Sequence, residues 1–312
     1  MESKNHFCKE LIKWGYSVKD GTRVWDISSS KLWYLTPELA KGYLKLLEFE
    51  PFKKNVFDVE VELLKQNMGK IVEESGKKEF NMIDLDCSDG YRSEIVAKSI
   101  PSDVKARYCL VDSGSFFLDI AFNRLKKIKI KNLKINEPIN VGMSQAGETI
   151  ASLRNVEYPE NIVLLLGSTL AAHDVNELLY NIGEGMLPGD VLVIANAIRV
   201  GEKYTKLEKY KNKFFEDWLF VVMKDLGFKK EEVEYDARFA NERVEGFFRI
   251  KADKEIECDG KKIIIKKGDE IIVAVQYKYY ENELKDYTSM YFRDVKTYVD
   301  PRKEYCLVVC KK

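Results

Sequence analysis

Three short polar stretches, each directly behind an apolar run, carry the residue types that can hold a nucleoside-bearing ligand. The first is Asp84-Leu-Asp-Cys-Ser-Asp-Gly90, between FNMI and the helix-like YRSEIVAKSI. A turn in that place brings backbone N–H groups and a helix N-terminus close to a polar ligand. Its candidate binding residues are Asp84, Asp86, Ser88 and Gly90, with Arg92 just beyond. The second stretch is Asp112 with Ser113, after ARYCLV. Asp112 stands 22 positions past Gly90, near the usual spacing for an acid that accepts both hydroxyls of a ribose. The third is Gly167-Ser168-Thr169 after NIVLLL, at a strand end where the reactive part of such a ligand lies. Each stretch alone is an ordinary structural turn. Their order and spacing together point to a bound cofactor.

The remaining composition narrows the chemistry. Only two histidines occur, His6 and His173, which excludes a multi-histidine metal site, and no metal is expected. A Ser-His-Asp triad would have to use one of those two. None of the six cysteines forms a Cys-x-x-Cys pair, so zinc ribbons are not expected and all six read as reduced, mostly buried thiols. Lys plus Arg and Asp plus Glu both count 51, and this balance lacks the basic surplus of a nucleic-acid binder. No apolar run approaches the roughly 18 residues of a membrane span, and MESKNHFCKELIKWGY has no apolar signal core. The expectation is a cytoplasmic protein with a small-molecule substrate and neither nucleic-acid nor membrane partner; oligomeric state is not legible. Heavy use of Lys and Glu fits a heat-loving source and codon bias equally.

Strands and helices that alternate over residues 80–198 place the three polar stretches at strand ends of a parallel, doubly wound sheet. FNMIDLD, ARYCLVD, LKINEPINV, NIVLLLGS and DVLVIANAI are the expected strands, the fourth wholly apolar as in a sheet covered on both faces. Residues 6–75 read as mostly helical, with Thr36 as N-cap before Pro37 and a second helix over 57–75. A long aromatic helix is expected over 200–228. From about 233 the pattern turns to strands, with turns at Asp259-Gly260 and Gly268-Asp269. A helix near 281–293 and the strand YCLVVC close the chain.

The succession NMIDLDCSDG, ARYCLVDSGS, NIVLLLGSTLAAHD, LPGDVLVIANAI, EIIVAVQYKYY and YVDPRKEYCLVV resembles the histidine-specific, S-adenosylmethionine-dependent methyltransferases of ergothioneine synthesis. The resemblance covers roughly residues 50–312, and GSTLAAHD and LPGD are its most specific pieces. It implies a Rossmann-like methyltransferase sheet with a mixed α+β substrate-binding cap, and S-adenosylmethionine as cofactor. The expected division is 1–60 as the helical part of the cap, 61–199 as the cofactor-binding core, 200–277 as an inserted substrate domain, and 278–312 as the helix and strand that complete the core.

The departures from the family pattern lie at the ligand. Asp86 and Ser88 stand where the family has two glycines, and Arg92 where a lysine is usual. Asp tolerates the left-handed conformation, so the turn can still form, and its carboxylate can face a cationic ammonium or sulfonium. An acid there is equally consistent with lost cofactor binding. On the substrate side, Ala172 replaces an asparagine, Ala274 and Gln276 replace a glutamate and a serine, and Lys54 and Asn55 replace paired tyrosines. A site built on hydrogen bonds loses its selectivity when those partners vanish, which argues against free histidine as the acceptor.

Methyl transfer needs a positioned nucleophile in a water-poor pocket and little acid–base equipment. Tyr34, Tyr210, Gln276 and His173 are the groups able to orient an amine and take its proton, with Tyr210 and His173 the catalytic candidates. Each has a plain alternative: a packing aromatic for Tyr34 and Tyr210, a helix-start contact for His173, a solvent-facing strand residue for Gln276. Three functions remain open at this level: a small-amine methyltransferase, a methyltransferase for protein Lys or His side chains, and a non-catalytic binding protein. A nicotinamide oxidoreductase is weaker, since no GxGxxG is present.

Overall fold

The computed structural model describes residues 6–28, 36–201 and 206–312. The chain forms two compact units: Met1–Phe52 with Lys203–Tyr277, and Lys53–Glu202 with Lys278–Lys312.

The second unit is a Rossmann-like α/β layer structure. Its sheet runs in the order Arg293–Val299, Tyr305–Lys311, Val191–Ala197, Glu160–Leu165, Glu79–Leu85, Lys105–Asp112, Leu133–Ile135, and the short Ile139–Asn140 also pairs with Lys105–Asp112. The five central strands are parallel, and Tyr305–Lys311 inserts antiparallel beside Val191–Ala197. The expected strand LKINEPINV is thus two short strands. Pro138 lies between them and has no N–H to give a ladder. The closing helix is Glu281–Ser289, shorter than expected, and Arg293–Val299 adds a strand that the sequence pattern did not reveal.

Apolar runs make these strands because both faces are covered. Phe80, Met82, Leu110, Leu164 and Val193 are fully buried on the face that helix Asp58–Ser75 covers with Leu64 and Met68. Burying each such side chain contributes roughly 1.5–3 kcal/mol. Strand order reverses about Glu79–Leu85, which pairs with Lys105–Asp112 on one side and Glu160–Leu165 on the other. At such a switch point the following connections leave toward opposite faces, and a crevice opens at the carboxyl ends of the strands.

The first unit is built on a five-stranded sheet in the order Tyr16–Lys19, Thr22–Asp26, Glu270–Tyr277, Arg243–Ile250, Val233–Ala240, with a separate hairpin of Lys254–Cys258 and Lys261–Ile265. Phe7, Leu11, Leu39, Trp218, Phe248 and Ile271 form its core. Three expectations are corrected here. Residues 16–26 form a hairpin, not helix: Asp20 and Gly21 both take positive φ, and Lys19 pairs with Thr22 across this two-residue turn. Among the described residues of the helix expected over 200–228, the α-helix is Lys213–Asp225, and the Asn212 side chain caps its start by accepting from the N–H of Phe214 and Phe215. Not all six cysteines are free: Cys8 and Cys258 form a disulfide between helix His6–Trp14 and the Lys254–Cys258 strand, while Cys87, Cys109, Cys306 and Cys310 are free and buried. Thr36 caps helix Pro37–Glu48 as expected, its Oγ1 accepting from the Leu39 N–H at 3.2 Å.

Among the described residues, no helix is long and apolar enough to cross a membrane, and no cluster of three or more His, Cys, Asp or Glu side chains is arranged to hold a metal ion.

Candidate functional site

The three polar stretches meet at the switch point. Leu85 pairs with Val111 on one neighbouring strand and with Leu165 on the other, so the three chains leave the sheet side by side. The elbow behind Glu79–Leu85 winds through positive φ at Asp86, Ser88 and Gly90. Its backbone is pinned to the next strand by Asp86 and Cys87 N–H groups that donate to the Val111 carbonyl at 2.8 and 3.3 Å. Gly90 is required here: a Cβ on it would lie 2.6 Å from the Ala121 Cα, so the elbow packs directly on helix Ser115–Leu125.

Asp112 sits at the centre. Its Oδ2 accepts from the Ser88 N–H at 3.0 Å and its Oδ1 from the Gly114 N–H at 2.7 Å. Burial, and next the charge of Asp86, push its carboxyl up to about 8. Ser113 beside it is exposed. Asp84 is turned inward: its Oδ2 accepts from Ser93 Oγ at 2.6 Å and Tyr108 Oη at 2.9 Å, and burial raises it to about 6. Asp86 spans to the third stretch, its Oδ2 accepting from Thr169 Oγ1 at 2.8 Å. Gly167 and Ser168 take positive φ, and the Ser168 hydroxyl contacts Tyr305 Oη at 3.0 Å and accepts from the Ala197 N–H. His173 ends the same turn, and burial lowers its pKa, with the charge of Asp86 opposing.

Two contributors went unread in the sequence. Glu60 is fully buried, its Oε2 accepting from Arg92 Nε and its Oε1 from the Gly167 N–H, both at 2.6 Å. The available signal was an acid in line with Leu64, Met68 and Ile71 on the buried stripe of helix Asp58–Ser75. Tyr305 is the other, placed on the antiparallel strand and reaching Ser168.

The substrate-side candidates divide between the units. Asn55 and Ala172 are half-buried residues of the second unit, and Asn55 Oδ1 accepts from Arg302 Nη1 at 3.5 Å. In the first unit, Tyr210 Oη donates to Gln276 Oε1 at 2.6 Å, and Ala274 lies two residues before Gln276 on the same strand, packed on the apolar core. Tyr34 lies outside the described residues.

A nucleoside that carries positive charge fits this donor set. The charge of Asp86 adds to burial in raising both Asp84 and Asp112, so the three acids lie close together. Each Asp112 oxygen keeps acceptor capacity after taking one N–H, enough for a ribose diol. Ser88 Oγ is buried with no hydrogen-bond partner among the described residues, an open donor and acceptor beside Asp112.

Fold and crevice together define a nucleoside-cofactor-binding protein of the Rossmann-like methyltransferase class. Residues 55–312 match the family model described as histidine-specific methyltransferase, S-adenosylmethionine-dependent, and the chain belongs to that family; S-adenosylmethionine is its cofactor. No curated protein sequence matches the chain. Among solved structures it is similar to an S-adenosylmethionine-dependent methyltransferase from Clostridium acetobutylicum, at 14% identity and TM-score 0.42 over 80% of this chain and 91% of that one. It is also similar to DesVI from Streptomyces venezuelae, at 11% identity and TM-score 0.41, covering 86% and 98%. A putative methyltransferase from Thermobifida fusca matches at 9% identity and TM-score 0.45, covering 89% of each chain.

Proposed function

We propose that this protein methylates a nitrogen of a small amine or amino-acid-like acceptor other than free histidine. The carrying observation is the replacement of histidine-gripping side chains by Ala172 and Ala274, together with the engagement of Gln276 Oε1 by the Tyr210 hydroxyl at 2.6 Å. Neither methyl side chain can hydrogen-bond an imidazole or an amino-acid backbone.

When bound, S-adenosylmethionine supplies an electrophilic methyl group on a sulfonium. This chain's residues would divide the remaining work. Asp112 accepts the ribose hydroxyls, Ser88 adds a hydrogen bond, and Asp86 faces the cationic part. Asp84 braces the elbow through Ser93 and Tyr108. His173, its pKa lowered by burial, is neutral at pH 7 and able to take the proton that an amine loses on methylation. Tyr210 and Gln276 are the polar pair we assign to the acceptor. We infer a cytoplasmic setting, which the Cys8–Cys258 disulfide fits in a heat-loving cell, where intracellular disulfides are common.

Two measurements test the reading. Calorimetric titration of S-adenosylmethionine should show a single binding site. Incubation of cell extract with isotopically labelled S-adenosylmethionine, separated by size, should put the label in the low-mass fraction. Label confined to protein would replace this acceptor class by protein side chains, and absence of binding to folded protein would remove the enzymatic reading.

A further inference from the structure

Glu60 lies on a helix ahead of the whole nucleotide signature, yet it is bonded to the Gly167 stretch and to Arg92, two residues past the Asp84–Gly90 elbow. Its carboxylate is 0% exposed. It bridges 32 residues to Arg92, at the start of the helix behind the elbow, and 107 residues to the Gly167 backbone, at the end of the Glu160–Leu165 strand. Arg92 is itself largely buried, with its guanidinium 4.6 Å from the centre of the Phe57 ring. A Cβ on Gly167 would lie 3.5 Å from the guanidinium carbon, which puts Arg92 against the turn that Glu60 also holds. A buried carboxylate with two charge-assisted or short hydrogen bonds holds its partners in one geometry, because breaking either bond leaves a polar group stranded away from water.

We infer that Glu60 is a positioning residue for the crevice: it fixes Arg92 and the Gly167 turn as one half of the cofactor site, the half that takes the charged amino-acid tail, while Asp112 holds the nucleoside half. This inference rests on the cofactor reading above. The reason for the division is spatial. Asp112 is bonded to Ser88 and Gly114, on the side of the Lys105–Asp112 strand, whereas Glu60 is bonded to Gly167, to Arg92 packed against Gly167, and to the Tyr305 hydroxyl. None of these Glu60 bonds goes to Asp112 or Ser88, so the loss of Glu60 leaves the nucleoside half in place.

Two nucleosides that differ only in the tail separate the halves. S-adenosylhomocysteine carries the ammonium and carboxylate; 5′-methylthioadenosine lacks both. Titration calorimetry on the full chain is expected to show Glu60→Gln weakening S-adenosylhomocysteine by about ten- to a hundred-fold, the scale of one charge-assisted hydrogen bond, with 5′-methylthioadenosine changed by less than about two-fold. Glu60→Asp keeps the charge but is one methylene too short to reach both donors. It guards against misfolding of the Gln variant and is expected to show the same selectivity at smaller size. A fall in folded fraction lowers the number of sites for both ligands and leaves the ratio of their affinities unmoved, so the ratio reads positioning and not mere stability. Equal weakening of both nucleosides in both variants overturns the role given to Glu60. Wild-type protein that binds neither nucleoside overturns the cofactor reading itself, and with it this inference.

Discussion

Replacing Gly90 by alanine tests whether the elbow is built as described. Gly90 has φ of 72°, and an added Cβ would sit 2.6 Å from the Ala121 Cα, 2.7 Å from its Cβ and 3.3 Å from its carbonyl oxygen. Two of those three atoms belong to the backbone of helix Ser115–Leu125 and cannot rotate away. The left-handed conformation costs an alanine about 1–2 kcal/mol. Forcing a methyl group into a filled space costs about 1–3 kcal/mol more. The sum is a loss of about 2–5 kcal/mol from the second unit. Urea unfolding followed by far-ultraviolet circular dichroism is the assay, because the described tryptophans, Trp14, Trp25 and Trp218, belong to the first unit. Adding Ala121→Gly removes the 2.7 Å contact but not the 2.6 Å contact with the Cα, so the double variant should recover only part of the loss. A Gly90→Ala protein with an unchanged midpoint, or complete recovery in the double variant, would refute the packing argument.

Two further expectations follow from the electrostatics and the cross-link. Since burial raises Asp112, its contribution to the ligand-free fold is complete below the ordinary value of 3.8 and is lost as pH rises through about 8. A cationic ligand favours the ionised carboxylate, so affinity for S-adenosylmethionine should rise from pH 6 to 9 and binding below pH 8 should release a proton, as read by calorimetry in buffers of different ionisation enthalpy; a flat profile would contradict it. Cys8→Ser should lower stability by about 2–5 kcal/mol, since the bridge joins positions 250 residues apart, and reductant should destabilise only the wild type; identical unfolding of the two proteins without reductant would dismiss the bridge.

Local chemistry made much of this protein legible in its residues. The strand ends at Asp84, Asp112 and Gly167 were visible because a strand followed by a polar turn and a helix is encoded over ten or so neighbouring residues. Thr36-Pro37, Asp259-Gly260 and the apolar NIVLLL are signals of the same short range. The hairpin over 16–26 was carried by Asp20-Gly21 as well, but its strands are only four and five residues long, too short for periodicity to separate them from helix. What folding alone decided are the pairings between distant positions. Glu60 reaches Gly167 across 107 residues, Cys8 joins Cys258 across 250, and the Asp112 carboxylate takes the Ser88 N–H across 24. A residue type states what a side chain is able to bond; which partner it meets is set by the packing of helix on sheet and the order of strands, and these depend on the burial of the whole apolar core.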